Sequence, residues 1–372
     1  MAVRATAATA VRTTREGPTG GGGGRVPAFV AFSALPHDPS TSNEPNRYTP
    51  GDPGTGSQMT TPPADPDLRL AVTTRAETFE RLRERLAPHG IAVEHVRPDE
   101  RVLRVAGADS DDPDRGTGDR AGDALPDEFA GFDAGWVYPS RLMEGAVIDT
   151  RLGVPWVNDR EAVLASRNKA GSLARLADAG LPTPETRLVS NPVDDDAVLA
   201  AAAEIGYPLV VKPNSTTRGV GVAKVSDPDS LLGVTDYLDL VHDYRATGDK
   251  SYLLQAFLPD ATDYRAMVLD GEYAGAVERR LPEAALAEGK WKHNVHRGAV
   301  AERVDLPEEA RRLAERAAEA LSIPLLGVDL LESDGRFVVS ETNARPTIDA
   351  AEKYREGFDA DLAALVRRTA TR

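Results

Sequence analysis

Three oxygen-bearing side chains in the stretch GVDLLESDGRFVVSETNARP, residues 327–346, have the types and spacing for metal-assisted phosphate chemistry. Residues 327–332 and 337–343 are rich in Val, Leu or Phe and flank Ser333-Asp334-Gly335, a pattern that reads as a β-hairpin. Glu341 and Asn343 are two apart, so a strand sends both to one face. A three-residue loop with Gly335 at the left-handed position puts Asp329 opposite Glu341. Two carboxylates and one amide oxygen form a hard, all-oxygen set suited to Mg2+ shared with phosphates. The same residues also read as the polar solvent face of an ordinary hairpin, so other stretches must decide.

Lys212 ends the apolar run YPLVVK and precedes a loop with Gly219 and Gly221. An ammonium supplies a point charge there, and glycine lets backbone N–H groups approach phosphate oxygens. No G-K-[ST] opens a helix, so this is not a Walker A motif, and a plain glycine hairpin has the same look. Gln255, Ala256, Phe257 and Leu258 follow a buried-looking strand on which adenine could dock, although any core strand reads similarly. Asp263 and Arg265 alternate and project the same way. Arg279, Arg280, Lys292, His293, Asn294, His296 and Arg297 add cationic and amide groups suited to developing polyphosphate or acyl-phosphate charge. The two histidines lack a spacing partner for a metal.

The elements that must position these residues follow from periodicity. LRLAVTT, IAVEHVRP, GWVYP and VPWVN read as strands, with a helix at AETFERLRERLAPHG and another around residues 143–151. That alternation argues for a small, mostly parallel α/β domain over residues 66–157. Residues 159–179 have helical period and contain Lys169; Ser166 could cap an inner helix, and Gly180 and Pro182 close it. A helix at 194–205, the strands YPLVVK and SYLLQAFLP, a hairpin turning at Asp270-Gly271, a helix at 306–321 and a last helix at 359–368 complete the order. The acidic run 107–123 reads as a solvated loop.

With 372 residues the chain has room for two or three domains. A net charge of −15 disfavours nucleic-acid and anionic-membrane partners. Seven lysines against thirty-seven arginines, with abundant acids, suggest a salt-adapted, halophilic protein, and make each lysine worth inspection. The absence of cysteine excludes disulfides, thiolate metal sites and cysteine nucleophiles. No run is apolar enough to span a bilayer, and the N-terminus lacks a secretory apolar core, so a soluble cytoplasmic protein is expected. Residues 1–65, dominated by Gly, Pro, Ser, Thr and Asp, are expected to be disordered or an over-extended start, with Met59 the candidate initiator.

The ordered series RNKAGSLARLADAGLPTPET, PLVVKPNSTTRGVGV, LLQAF, DYR, KHNVHRG and GVDLLESDGRFVVSETNARP resembles the ATP-grasp superfamily, specifically its RimK-like amino-acid (glutamate) ligase branch. The likeness runs from about residue 136 to 346 and more loosely back to 68. It implies an α/β and α+β architecture: a pre-ATP-grasp domain at 66–157 and an ATP-grasp domain at 158–372. The latter divides into a central subdomain at about 182–254 and a C-terminal one at about 255–372, with ATP between them. The resemblance further implies that Lys169 and Lys212 contact the phosphates under the loop 214–222, with Arg218, Gly219 and Gly221. Gln255, Ala256, Phe257 and Leu258 would hold adenine, and Asp263 would lie near the ribose. Asp329, Glu341 and Asn343 would coordinate two Mg2+ ions, or Mn2+, with Glu341 bridging. Arg265, Asn294 and Arg297 would face the γ-phosphate and the substrate carboxylate.

In that family a carboxylate takes the γ-phosphate to give an acyl phosphate, and an amine then displaces it to form an amide. An amino-acid or small carboxylate substrate and an amine acceptor would be the partners, with homo-oligomerisation open. A nucleotide-binding module without catalysis, or another ATP-grasp chemistry, are the alternatives. Two departures stand out: Ala256 where the family often has Glu, and Arg345 after Asn343, which either marks a substrate carboxylate or pairs with a surface acid.

Overall fold

The computed structural model describes residues 66–372 except 75–76, 104, 106–128, 217–218, 243–248, 294 and 296–297. The expected disordered segment 1–65 and acidic loop 107–123 lie outside the described residues.

β1 (Leu68–Val72), α1 (Glu77–Leu86), β2 (Ile91–His95), β3 (Ala134–Val137), α2 (Gly145–Leu152) and β4 (Trp156–Asn158) come first. Their strands form an all-parallel sheet in the order β2-β1-β3-β4, the arrangement that strand–helix alternation predicts. Leu82 and Leu86 of α1 and Ile148 of α2 are fully buried with Leu70 and Ile91.

Residues 159–179 fold as two helices, α3 (Arg160–Arg167) and α4 (Lys169–Asp178), where one helical stretch was expected. Asn168 breaks the stretch: it is the C-cap of α3 and the N-cap of α4, and its Oδ1 accepts from the Gly171 N–H at 3.0 Å. Ser166, the expected cap, instead accepts from the Ala344 N–H at 2.9 Å. The asparagine wins because its amide can satisfy a first-turn donor while leaving helical φ and ψ.

β5 (Thr186–Ser190), α5 (Asp195–Ile205), β6 (Leu209–Pro213), β7 (Ala223–Val225), α6 (Pro228–His242) and β8 (Ser251–Ala256) build an antiparallel sheet, β5-β8-β6-β7. The third sheet uses β9 (Thr262–Leu269), β10 (Glu272–Arg280), β11 (Val300–Val304), β12 (Leu325–Ser333) and β13 (Arg336–Asn343), in the antiparallel order β11-β10-β9-β12-β13. α7 (Glu283–Ala287) and α8 (Glu308–Leu321) interrupt it, and α9 (Phe358–Ala370) ends the chain. α8 buries Ala310, Leu313, Ala314, Ala317, Ala318 and Leu321, one helical stripe whose alanines allow close approach to the sheet.

The first and third sheets share one continuous hydrophobic core, whereas the second sheet has its own, closed by α5 and α6. Asn158 stitches the shared core. Fully buried at the end of β4, it donates to the carbonyls of Leu325 and Ala344, both at 2.6 Å, and accepts from the Leu325 N–H at 3.2 Å. Removing the amide strands three buried backbone groups, each costing about 1–3 kcal/mol. Asn158→Ala should therefore lower unfolding free energy by about 3 kcal/mol or more in a urea titration. A loss below about 1 kcal/mol would show that water replaces the side chain.

Candidate active site

The hairpin β12–β13 turns through two residues, not three. Ser333 pairs with Arg336, leaving Asp334 and Gly335 at φ 52° and 70°, both positive as a type I′ turn requires. That register alone would pair Asp329 with Ser340. A bulge at Ser340 shifts it by one, so that Asp329 pairs with Glu341 as expected, by a different route. The bulge also turns the Ser340 carbonyl toward Lys212, whose Nζ lies 3.4 Å away.

Lys212, at the end of β6, and Lys169, the first residue of α4, are 6% and 5% exposed, which is rare burial for lysine. Lys169 donates to the carbonyl of Thr216 and stands 3.5 Å from the Glu341 carboxylate. Burial pulls the Lys212 ammonium down to about 8; Glu341 opposes this, and Lys169 adds to it. Two asparagines lock the lysines in register. Asn214 donates to Asn168 Oδ1 at 3.0 Å and accepts from the Ala170 N–H at 2.9 Å, and its carbonyl accepts from the Lys169 N–H at 3.3 Å. The loop after Lys212 needs glycine at 221, where φ is 74° and a Cβ would stand 2.8 Å from the Pro213 ring. Gly219 is likewise at positive φ, 65°. Arg218, Asn294 and Arg297 lie outside the described residues.

On the third sheet, Arg265 grips Asp329 with both nitrogens, Nε at 2.7 Å and Nη2 at 2.8 Å. Arg279 bonds Asp263 through Nε at 2.8 Å and reaches Asp329 at 3.1 Å. Burial would raise Asp329, but the two guanidiniums outweigh it and hold the acid at about 2. Burial pushes Asp263 up to about 7, against the pull of Arg279. His293 Nδ1 lies 3.9 Å from Asp263, and burial, with Arg279 beside it, lowers the imidazole. The alternation of Asp263 and Arg265 thus does bring them into one network. Arg279 is its centre, a role its position in a run of cations did not single out.

Asn343 holds its amide oxygen 2.9 Å from the Arg345 N–H. Among the described residues no group of three His, Asp or Glu could hold a metal. Asp329 and Glu341, paired across the hairpin, and Asn343, two on from Glu341, still fit a hard cation that takes its remaining ligands from phosphate and water, as Mg2+ does.

At the other end, buried Gln255 donates to the Thr186 hydroxyl at 2.8 Å, and the Ala256 N–H is taken by the Glu185 carbonyl. Phe257, half-buried like Leu258, meets Trp291 edge-on at 5.9 Å. Lys224, though exposed, sits 4.7 Å over the Phe257 ring, and Lys292 bonds the Val222 carbonyl. Thr186 and Trp291 carried no sequence signal, because their partners are remote in the chain.

Breaking a buried ion pair leaves an uncompensated charge and costs about 3–5 kcal/mol. Arg279→Gln strips Asp263 of its guanidinium and leaves Asp329 with Arg265 alone, whereas Arg265→Gln leaves both acids paired with Arg279. Denaturant titration at pH 8 should therefore show the larger loss for Arg279→Gln. Asp263, unpaired in that variant, would titrate higher folded than unfolded, so the deficit should shrink as pH falls from 8 to 5. Equal losses, or a deficit constant with pH, would contradict this placement of charge.

A family model described as the RimK-like ATP-grasp domain matches residues 166–366, just over half of the chain. A probable alpha-L-glutamate ligase of Thioalkalivibrio sulfidiphilus is 34% identical over 204 residues, 54% of this chain but only 63% of the relative's length. Among solved structures, the RimK domain ATP-grasp protein of Sphaerobacter thermophilus superposes with a TM-score of 0.56 at 24% identity, covering 81% of this chain and 98% of that one. The ATP-grasp ligase PsnB, solved with a minimal precursor, Mg and ADP, gives 0.51 at 19% identity, covering 82% and 98%. The three-sheet architecture is the ATP-grasp fold, and the chain belongs to the RimK-like ATP-grasp family.

Proposed function

We propose that this protein is an ATP-dependent carboxylate–amine ligase that forms an amide bond through an acyl phosphate, adding glutamate or a similar amino acid to an acceptor. The observation that carries the reading is the meeting of Lys169 and Lys212, both buried, with Glu341 and the Ser340 carbonyl. Two ammonium groups held together in a low-dielectric cleft are poorly compensated until an anion arrives, and a polyphosphate is such an anion. Family membership and the glutamate-ligase relatives point the same way.

In this reading adenine lies along 255–258 with Phe257 and Trp291 beside it, Asp263 is near the ribose, and the lysines hold phosphate oxygens under the loop 214–222. Asp329, Glu341 and Asn343 would hold Mg2+, which when bound neutralises phosphate charge. Arg265, with Asn294 and Arg297, positions the γ-phosphate and the substrate carboxylate. A carboxylate oxygen bonds to the γ-phosphorus as its bond to the β,γ-bridging oxygen breaks, releasing ADP. The amine nitrogen then bonds to the acyl carbon, phosphate leaves, and the nitrogen gives up a proton. No side chain needs to act as nucleophile, in keeping with a chain that has no cysteine. Among the described residues no helix is long and apolar enough to cross a membrane. With the acidic composition, this supports a cytoplasmic, salt-adapted enzyme.

The decisive experiment follows ADP release and amide product by mass spectrometry against a panel of amino acids and acceptors at high salt. Glu341→Gln should reduce turnover by about two orders of magnitude or more while leaving the fold intact, from the loss of a charge at the phosphate site; unchanged turnover would refute the site. Lys212→Met should weaken ATP binding about ten- to a hundredfold, the worth of one charge-assisted contact. Lys290, exposed and paired with Glu288, is the control, expected to change affinity less than about twofold on substitution by Met. Because Lys212 titrates at about 8 without ligand, ATP binding at pH 8.5 should take up more than about half a proton, measured in buffers of different ionisation enthalpy. Lys212→Met should abolish that uptake. Uptake persisting in the variant would place the proton elsewhere.

A further inference from the structure

Two arginines near the oxygen set have no role in the chemistry above. Arg345, two residues past Asn343, donates through Nη1 to the Tyr138 carbonyl. Arg167, the last residue of α3, donates through Nη2 to the Ser140 carbonyl at 2.8 Å. Ser166 and Ala344, the residues just before each arginine, are bonded to one another at 2.9 Å. Two guanidiniums from different elements are thereby drawn to one short loop past the end of β3.

Neither arginine has a carboxylate within ion-pair distance among the described residues, although Arg69, Arg81, Arg85, Arg265, Arg279 and Arg355 all do. The surface acid considered as a partner for Arg345 is therefore not among them. Both guanidiniums sit on carbonyls two residues apart in the same loop, so two like charges face one place. In a chain whose acids outnumber its cations, two arginines set against each other are costly unless a second anion is supplied. A guanidinium carries five N–H donors in a fork that matches a carboxylate, and one carbonyl each leaves most of them unused.

The loop has the right place in the fold. In the parallel sheet β2 lies on one side of β1, and β3 and β4 lie on the other. Tyr138 and Ser140 therefore follow a strand beside the point where the strand order reverses, and ligands of open α/β sheets bind outside strand C-termini at such a point.

We propose that Arg345 and Arg167 anchor the non-reacting carboxylate of a dicarboxylic substrate, such as an acidic amino acid, leaving its other carboxyl group for the phosphate site. This rests on the ligase reading for the reacting end, but the anchor itself is tested by binding alone. The probes are glutarate and L-glutamate against butyrate, titrated calorimetrically into protein saturated with a non-hydrolysable ATP analogue and Mg2+, and again without nucleotide. The wild type should bind glutarate at least about tenfold more tightly than butyrate, the margin of a charge-assisted bidentate contact. Arg345→Gln and Arg167→Gln should each remove that preference while changing analogue affinity less than about twofold, and Arg345→Lys should keep part of it.

If Arg345→Gln fails to fold for want of its bond to Tyr138, Arg167→Gln at the helix end carries the test. Absence of a dicarboxylate preference in the wild type, or its survival in a folded glutamine variant, overturns the anchor. Loss of nucleotide binding by the wild type with the glutarate preference intact would instead remove the ligase reading and support an anion site in its own right.

Discussion

The structure depends on holding two lysines in a cleft that water scarcely reaches. Desolvating an ammonium is expensive, and placing a second one nearby adds repulsion. Glu341 offsets part of this for both lysines, and carbonyl oxygens of Thr216 and Ser340 take N–H donors. The arrangement is held together by parts that have no charge of their own. The Asn168–Asn214 pair fixes the start of α4 against the end of β6, and the Ser340 bulge aims a carbonyl between strands. Under the proposed ligase reading, such a scaffold would preorganise the cation pair for phosphate, since little would have to move for an anion to take the place of the carbonyl partners.

The neighbouring acids solve the opposite problem. Asp263 and Asp329 are buried side chains of like charge, and Arg279 between them, with Arg265 on one flank, makes the group neutral. The two guanidiniums keep Asp329 ionised despite its burial.

Layering explains why the site sits where it does. Lys212 rises from the sheet with its own core, while Glu341, Asp329, Arg265 and Arg279 stand on the third sheet, whose core is shared with the first. Near the lysines a polar contact crosses that boundary, the bond from Lys212 to the Ser340 carbonyl of β13. The first and third sheets are instead joined through Asn158, and α3 is tied to the residue after β13 by the Ser166–Ala344 bond.

Much of this was legible in the chain. The alternation of β12 and β13 placed Glu341 and Asn343 on one face, a helix was expected where α8 lies, and seven lysines in 372 residues drew attention to Lys169 and Lys212. These features are local, set by a strand's period of two, a helix's period of 3.6 and composition. What only the tertiary structure decided is non-local. A one-residue bulge cannot be read from side-chain types, yet it sets which residue faces Asp329. The choice of Asn168 over Ser166 as cap turned on Asn214 and Ala344, far along the chain, which claim one residue each. Arg279 became the centre of the acid network, and Arg345 and Arg167 neighbours, because strand order and helix docking bring distant backbones together. Sequence specifies such residues through energies that exist only once desolvation has made each unpaired charge costly.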